Sequence, residues 1–470
     1  MTKVKTHTAL LFLLFLLSLS TGCMVGPRYK RPQVDTPGVY RGLTPEQANA
    51  AGSASLGDDK WWEVFQDDEL QKLIRTALEQ NYDVRIAAAR ILQAQAQLGI
   101  TRADQFPTVT AGAAAINQRT QRTKFIPAFD TSANQVNTGL AWELDFWGKY
   151  RRSTEAARAS LLATEWARQE IISTLVSGVA TAYFQLRELD LELEISRSTL
   201  ASRQNSLKLI QLLADHGSTS MLDVRQSEQL VFTASEQVPD LERRIEQQEN
   251  FISVLLGKNP GAVTRGRKLT EQPHAPEVPA GLTSALLERR ADIRQAEQEL
   301  IAFNARIGVA RAAYFPQISL TADAGLQSSA LTNLFNGPAG LWSFGAGLTQ
   351  PLFEGGRLRN NVRLTEAQKD EAVLVYRQTV QEAFREVSDA LIDYRKSQEF
   401  RAQQELLTRS AEDAAHLSDI RYKGGATSYL EVLTNQTNFF AAELNLAQAQ
   451  RNELLALVGI YKSLGGGWQK

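Results

Sequence analysis

The sequence contains a single cysteine and only four histidines among its 470 residues. One cysteine cannot form a disulfide within the chain, and His7, His216, His274 and His416 are not spaced like the ligands of a metal site. The glycine-rich stretches "GGRLRNN" and "LGGGWQK" lack the pattern that flanks a phosphate-binding loop. The sequence therefore predicts no catalytic, cofactor-binding or metal site, and no enzyme.

Neither sign of charge is in excess, because 51 basic and 52 acidic residues leave a formal net charge of -1. The chain also lacks a basic patch interleaved with aromatic side chains, so nothing draws it generally to nucleic acid. After residue 23, no apolar run reaches the roughly 18 residues that a transmembrane helix requires. These absences argue against a nucleic-acid-binding protein and against a mature chain that crosses a membrane by helices.

The N-terminus carries the features of a secretory signal peptide over residues 1–22. Lysines precede the apolar run "ALLFLLFLLSL", which leads into "STGC". Cys23, at the cleavage position, is either an incidental free thiol or a lipidated new N-terminus. The second interpretation is favoured because "TGC" resembles a bacterial lipobox, with Ser20 at the usual leucine position. In enterobacterial lipoprotein sorting, a residue such as Met24 after the cysteine is compatible with the outer membrane.

Two pairs of stretches in the chain are near copies. "GITRADQFPTVTA" from Gly99 matches "GVARAAYFPQISL" from Gly308, and "GSTSMLDV" from Gly217 matches "GATSYLEV" from Gly425 at nearly the same separation. So long a period indicates a duplicated, domain-sized unit. The predicted organisation is an N-terminal lipidated and equatorial segment 23–66, a first repeat 67–260, a linker 261–282, a second repeat 283–465 and a tail 466–470.

Each repeat changes abruptly from a helical to a strand pattern at a Phe-Pro pair. Pro107 and Pro316 mark these helix-to-strand junctions, because the residue before a proline is pushed out of the α region. Alternating residues then predict strands at about 106–117 and 135–147 in the first repeat, and at about 315–328 and 340–353 in the second.

Long helices are predicted to follow the strands, at 148–214 in the first repeat and 356–423 in the second. At about 1.5 Å per residue each would be roughly 100 Å long. Apolar residues in the first of them step by fours and threes as in a coiled-coil seam. The seam includes Leu175, Val179, Ala182, Leu186 and Leu189. A turn and a return helix complete each repeat.

The alternating strands predict a sheet with one apolar face, which could contact lipid. Aromatic residues cluster at the strand ends like the interfacial belt of a membrane protein. They are Trp142, Phe146, Trp147, Trp342 and Phe344. Glu143, Asp145 and Asp323 lie on the polar faces and are candidates for a lumen, where they would simply hydrate a wide channel. The alternatives are a soluble sandwich, or a small sheet capping a helical bundle.

A membrane does not tolerate open sheet edges, so four strands would have to join those of other copies. Two copies supply eight strands with a filled interior, and three supply twelve with room for a lumen. The predicted fold class is therefore mainly α with a membrane β part, built as a duplicated unit.

Several stretches spread over the mature chain resemble the TolC/OprM-type outer-membrane efflux channels, the outer membrane factor lipoproteins of the NodT-like branch. They include "GCMVGPRYKRP", "WWEVFQDDELQKLI", "LLERRADIRQAEQEL" and "RYKGGATSYLEVL", with Ala291 where the family usually has proline. The resemblance implies a homotrimer in the outer membrane of a Gram-negative bacterium. It further implies a shared 12-stranded barrel, a periplasmic α-helical barrel, and docking to a periplasmic adaptor and an inner-membrane transporter.

The resemblance also assigns residues at the periplasmic tip. In the family, carboxylates just after the turn help to hold the closed pore; by position Glu431 and its first-repeat counterpart Asp223 are gate candidates, with Tyr422 before the turn. Thr434 and Thr427 stand where some members have a second acid and its basic partner, so a thinner ionic latch is expected. The competing interpretation is that both carboxylates are ordinary solvated helix residues.

Three functions remain open at the level of the sequence. The resemblance favours a passive exit duct for drugs and toxic compounds, with antibiotic resistance as its consequence. A duct of a type I protein secretion system would have the same architecture. A lipid-anchored periplasmic adaptor is a weaker alternative, because it predicts one helical hairpin between β-rich segments and no second copy of the strand pair.

Overall fold

The structure, a computed structural model, describes residues 24–43, 55–273, 279–281, 283–336 and 338–467. The predicted signal peptide and Cys23 lie outside these residues. The helices and strands are α1 Trp61–Val64, α2 Asp68–Gln80, α3 Tyr82–Ala103, β1 Thr108–Thr120, β2 Phe129–Leu144, α4 Lys149–Asp215, α5 Met221–Leu255, α6 Thr283–Arg289, α7 Ala291–Ala312, β3 Gln317–Ser328, β4 Gly340–Thr349, α8 Arg357–Lys423 and α9 Tyr429–Ser463. Short 3-10 turns lie at Leu56–Asp58, Leu269–Glu271 and Leu331–Asn333. From α2 onward the same order of six elements occurs twice, as the duplicated motifs predicted.

The four strands form one antiparallel sheet in the order β1-β2-β3-β4. Its pairing places Leu140 beside Ala322 and Ala322 beside Phe344, so apolar residues of neighbouring strands share a face. β1 and β4 are the two edges of the sheet. The mainly helical fold with a small sheet agrees with the predicted fold class.

Several predicted strand boundaries differ from those in the structure, and two of them, the start of β2 and the end of β4, differ by four residues or more. β2 begins at Phe129 and not at 135, because its pairing with β1 continues outward to Thr120. β4 ends at Thr349 and not at 353; a proline, which has no N–H for a ladder hydrogen bond, follows at Pro351.

Each long helix has 67 residues and each return helix has 35, in both repeats. The coiled-coil seam of α4 is buried at all five of its positions from Leu175 to Leu189. In α5 the helix continues through Pro239. Apolar burial along α4 supplies the stability that a single helix in water would lack.

The helix predicted before each strand pair is in fact two helices. Asn81 separates α2 from α3, accepting two backbone N–H groups of α3 at 2.8 and 3.2 Å while its amide donates to the Leu255 carbonyl at 2.9 Å. Arg290 separates α6 from α7 and donates to the Ser463 carbonyl at 3.1 Å. The break therefore persists although Ala291 replaces the family's proline, because the end of the return helix holds it.

The described residues form two compact units. The first unit comprises residues up to Gln33, Arg90–Glu165 and Gln295–Arg377, and includes the sheet. The second comprises Val34–Ala89, Trp166–Arg294 and the chain from Gln378. Each unit contains parts of both repeats, and in the first unit β2 of the first repeat pairs with β3 of the second.

In the second unit, a buried carboxylate ties the predicted linker 261–282 to the start of α2. Asp67 accepts hydrogen bonds from Tyr183 Oη at 2.9 Å, the Arg267 N–H at 2.9 Å and Gln272 Nε2 at 2.8 Å. Burial alone raises the pKa of Asp67, but these bonds and a backbone bond from α2 outweigh it, so its pKa is lowered. Arg267 and Gln272 of the linker are thus part of the packed structure.

Candidate functional site

The two turns that join long helices to return helices have the same construction. In each, a glycine adopts a left-handed backbone, with φ of +73° at Gly217 and +68° at Gly425. The next N–H bonds back across the helix end, from Ser218 to the Leu213 carbonyl and from Ala426 to the Arg421 carbonyl, both at 2.8 Å. This Schellman geometry ends each helix sharply and fixes where the following carboxylates lie.

Asp223 caps the start of α5. Its Oδ2 accepts from Thr219 Oγ1 at 2.5 Å, from the Ser220 N–H at 3.1 Å and from Ser220 Oγ at 3.0 Å. The hydrogen bond from Thr219 is the largest influence and lowers the pKa of Asp223. The carboxylate therefore stays ionised at neutral pH and stabilises the turn.

Glu431 occupies the equivalent position at the start of α9. One of its carboxylate oxygens accepts from Thr427 Oγ1, and Oε1 lies 3.3 Å from Arg421 Nη1 at the end of α8. Arg421 is a functional candidate that the sequence reasoning missed. Arg421 precedes Glu431 by ten residues, on the other side of a tight turn. That spacing could have predicted the ion pair. The pair clamps the two arms of this hairpin at their turn.

Behind these turns lies an apolar cluster that joins the two hairpins. Its buried members are Ile210, Val224, Tyr429, Val432 and Leu433. Tyr422 packs against it, with its ring centroid 5.1 Å from that of Tyr429. Ser227 Oγ donates to Tyr429 Oη at 2.7 Å, so a buried hydrogen bond links α5 to α9. No sequence pattern had singled out Ser227 or Tyr429.

A groove of about 590 Å³ opens beside the cluster, between α4, α8 and α9. Arg203 lines the groove, and its guanidinium lies 4.9 Å from the centre of the Phe440 ring. The same guanidinium donates to the Leu230 carbonyl at 2.8 Å. Burial, and then repulsion by Glu412, raises the pKa of the Glu443 carboxyl in the groove wall. Across the described ranges, no group of three or more acids, cysteines and histidines could hold a metal ion.

Two of the three predicted lumen-facing acids have local partners where β2 meets α4. Glu143 accepts from Lys149 Nζ at 3.0 Å and from Tyr150 Oη at 2.7 Å. Asp145 lies past the end of β2 and caps α4, accepting the N–H groups of Tyr150 at 3.2 Å and Arg151 at 2.9 Å. Both acids therefore stabilise the start of α4. The prediction that Asp145 lies on a strand face was wrong, because β2 ends at Leu144.

Asp323, the third of these acids, lies within β3. It pairs in register with Gly139 of β2 and Ser343 of β4. A side chain at Gly139 would lie 3.0 Å from Asp323 Oδ1, so the carboxylate lies over that glycine. This position on the polar face of the sheet leaves Asp323 as the candidate for an aqueous surface.

The helix-to-strand junctions are braced by tryptophans. Pro107 and Pro316 lie between the end of a helix and the start of a strand in both repeats. Trp147 stacks on Phe315 with ring centroids 4.8 Å apart and donates to the Pro316 carbonyl at 2.8 Å. In the first repeat, Trp142 donates to the Gln105 carbonyl at 3.1 Å. These tryptophans fix the direction in which the chain leaves its helices.

Residues 73–258 and 282–466 match the model of the outer membrane efflux protein family. The chain is 38% identical over 468 residues to the solvent efflux pump outer membrane protein SrpC of Pseudomonas putida, covering 97% of each chain. It is 32% identical to the cation efflux system protein CusC of Escherichia coli O157:H7, covering 96% of this chain and 97% of the relative. The solved outer-membrane channel OprN is 32% identical, with a TM-score of 0.87 over 95% of this chain and 100% of that one.

Proposed function

The chain belongs to the outer membrane efflux protein family, and we propose that it forms the exit duct of a tripartite efflux system. Its family places it in the outer membrane as the channel component of an efflux pump, which sets aside the adaptor alternative. Within the described residues, no helix is both long enough and apolar enough to cross a membrane.

The sheet supports the proposal that three copies share one barrel. On its apolar face, the exposed fraction is 81% for Trp342, 69% for Phe344 and 67% for Leu348. Such exposure is expected of side chains that contact lipid. β1 and β4 are edges within one chain, and unpaired backbone groups in lipid cost several kcal/mol each. Three copies supply twelve strands, which closes the sheet and leaves a lumen.

The first described residues support lipidation of Cys23. The Val25 N–H donates to the Trp147 carbonyl at 3.1 Å, and Met24 lies against Gly148, where a Cβ would be only 2.9 Å from its side chain. The first described residues, Met24 and Val25, therefore lie at the junction of β2 and α4, which is the level of a membrane surface in the proposed duct. A diacylglyceryl group on Cys23 would enter the leaflet there.

Lipidation is tested by labelling cells with radioactive palmitate and recovering the protein. Because the chain has one cysteine, thioether-linked lipid can lie only at Cys23. We expect label on the wild type and none on the Cys23→Ser variant. Equal labelling of both chains, or of neither, contradicts the anchor.

The proposed cargo is small toxic molecules, including solvents, drugs or metal cations, handed over by an inner-membrane transporter through a periplasmic adaptor. The relatives named above serve solvent and cation efflux, and the chain covers nearly their whole length. The test is a gene deletion, complemented by the wild type, followed by susceptibility to solvents, drugs and metal salts and by dye accumulation. We expect sensitisation and higher accumulation on deletion. Unchanged accumulation with loss of a protein from the medium would instead indicate type I secretion.

The proposed gate consists of Glu431 and Asp223 at the starts of the two return helices. Each carboxylate is fixed by the hydrogen bonds of its turn, and Glu431 adds the ion pair with Arg421. Three copies would place six carboxylates near one constriction, which attracts cations and restricts its width. Tyr422 supports the same turn through its contact with Tyr429.

A further inference from the structure

The hairpin of β1 and β2 extends beyond the rest of the sheet. The pairing of β2 with β3 stops at Asn134 and Ser328, whereas β1 and β2 continue for five more pairs, from Ile116–Ala133 to Thr120–Phe129. At about 3.4 Å per residue this projection is roughly 17 Å long. We call residues 116–133 the hairpin arm. It lies at the strand ends opposite the helix junctions.

The arm is a built structure with a closed tip. The Thr123 N–H donates to the Ile126 carbonyl at 2.9 Å, and the Ile126 N–H donates to Thr123 Oγ1 at 3.1 Å. These bonds hold Phe125 outward with 89% of its surface exposed. Phe129, at the base of the tip, is 51% exposed.

The apolar face of the sheet changes character along the arm. On this face Val109 pairs with Leu140 and Ala113 with Val136; further outward, Asn117 pairs with Ser132 and Arg119 with Asp130. The same row of side chains thus passes from apolar to polar and then to charged. In a membrane sheet that change marks the exit from hydrocarbon into the headgroup layer.

The arm carries an excess of positive charge. Arg119, Arg122 and Lys124 stand against one carboxylate, Asp130. Arg119 lies 3.6 Å from Asp130, with both side chains more than 70% exposed, so the pair is solvated and weak. In the part of the chain that the structure describes, no carboxylate pairs with Arg122 or Lys124. Cations and exposed aromatic rings therefore occur together at the predicted membrane surface.

We propose that the hairpin arm binds the phosphate groups of a phosphorylated glycolipid in the outer leaflet. Guanidinium and ammonium groups match phosphate in charge and hydrogen bonding, and Arg119 lies in the row of side chains that is apolar, and predicted to face lipid, nearer the helix junctions. This inference rests on the outer-membrane placement of the sheet and is independent of what the duct transports. It would hold the barrel rim to the surrounding lipid.

The test is a titration of purified, fluorescently labelled trimer with micelle-dispersed diphosphoryl lipid A, read by thermophoresis. Arg119→Gln, Arg122→Gln and Lys124→Gln are combined in one variant. A matched control removes three exposed cations outside the arm by Lys208→Gln, Lys258→Gln and Arg409→Gln. A third variant keeps the charges with Arg119→Lys, Arg122→Lys and Lys124→Arg. Heat-modifiable trimer bands verify that each variant assembles.

Each basic residue near an anionic lipid surface contributes roughly fivefold to binding. We expect Kd to rise between about tenfold and about a hundredfold in the neutral arm variant, and to change less than about threefold in the control and charge-retaining variants. Binding should weaken similarly when the lipid lacks its phosphates, and with added salt.

The proposal fails if the neutral arm variant binds like the wild type, if the control loses as much affinity, or if phosphate-free lipid binds equally well. Efflux in cells is measured in parallel. A chain that binds the lipid but does not support efflux would overturn the proposed function alone.

Discussion

The ion pair between Arg421 and Glu431 leads to the sharpest prediction about gating. The change is Glu431→Gln, which removes the charge but keeps an oxygen that can accept from Thr427. The two charged groups are 3.3 Å apart, and their side chains are 57% and 37% exposed. A pair this exposed contributes about 0.2–1 kcal/mol. Three copies acting together in a trimer would contribute about 0.6–3 kcal/mol to the closed state.

That free energy corresponds to an increase of roughly 3-fold to 150-fold in the ratio of open to closed channels. The assay is single-channel recording in planar bilayers at low and high salt, because screening should erase the difference. Arg421→Gln should open the channel as much as Glu431→Gln does, and the double variant should add little. Asp419→Asn is the matched control, since it breaks a comparably exposed ion pair, to Lys423, that lies within α8 and does not join the two arms of the hairpin.

Two results would refute this reasoning. One is an open probability that is unchanged in Glu431→Gln at low salt. The other is full additivity of Arg421→Gln and Glu431→Gln, which would mean that the two side chains act separately. A change of conductance without a change of open probability would place Glu431 in the lumen but outside the latch.

Three further predictions concern stability in the second unit, measured as thermal unfolding of the purified protein. Tyr429→Phe removes the buried hydrogen bond from Ser227 and should lower the free energy of unfolding by about 1 kcal/mol per chain. An unchanged melting temperature would contradict the link between α5 and α9. Gly266→Ala would place a Cβ 2.2 Å from Asp67 Oδ1 and should cost about 1–3 kcal/mol, whereas a neutral effect would show that the carboxylate network yields easily. The pKa of Glu443 is raised above 4.5 by burial and a neighbouring carboxylate, so stability should fall as pH rises from 4.5 through the raised pKa. Glu443→Gln should remove that pH dependence and be neutral or stabilising at pH 7; a destabilised variant would contradict it.

Much of the site was predictable because its signals are local. The turn glycines and the acids two positions into each return helix recur in both repeats, so their shared role followed from the duplication. What these acids bond to did not follow. The pairing of Glu431 with Arg421 depends on how the two arms of a hairpin meet, and the capping role of Asp145 depends on β2 ending at Leu144.

The sequence by itself determined the order of elements. The repeated motifs, the Phe-Pro pairs and the change from helical to alternating periodicity act over a few residues, where backbone sterics and side-chain period decide the conformation. Only the tertiary structure decided where the helices before the strands break. Asn81 and Arg290 hold those breaks through carbonyls of Leu255 and Ser463, 174 and 173 residues away. No local pattern contains such a bond, because its partner approaches only after the return helix has packed.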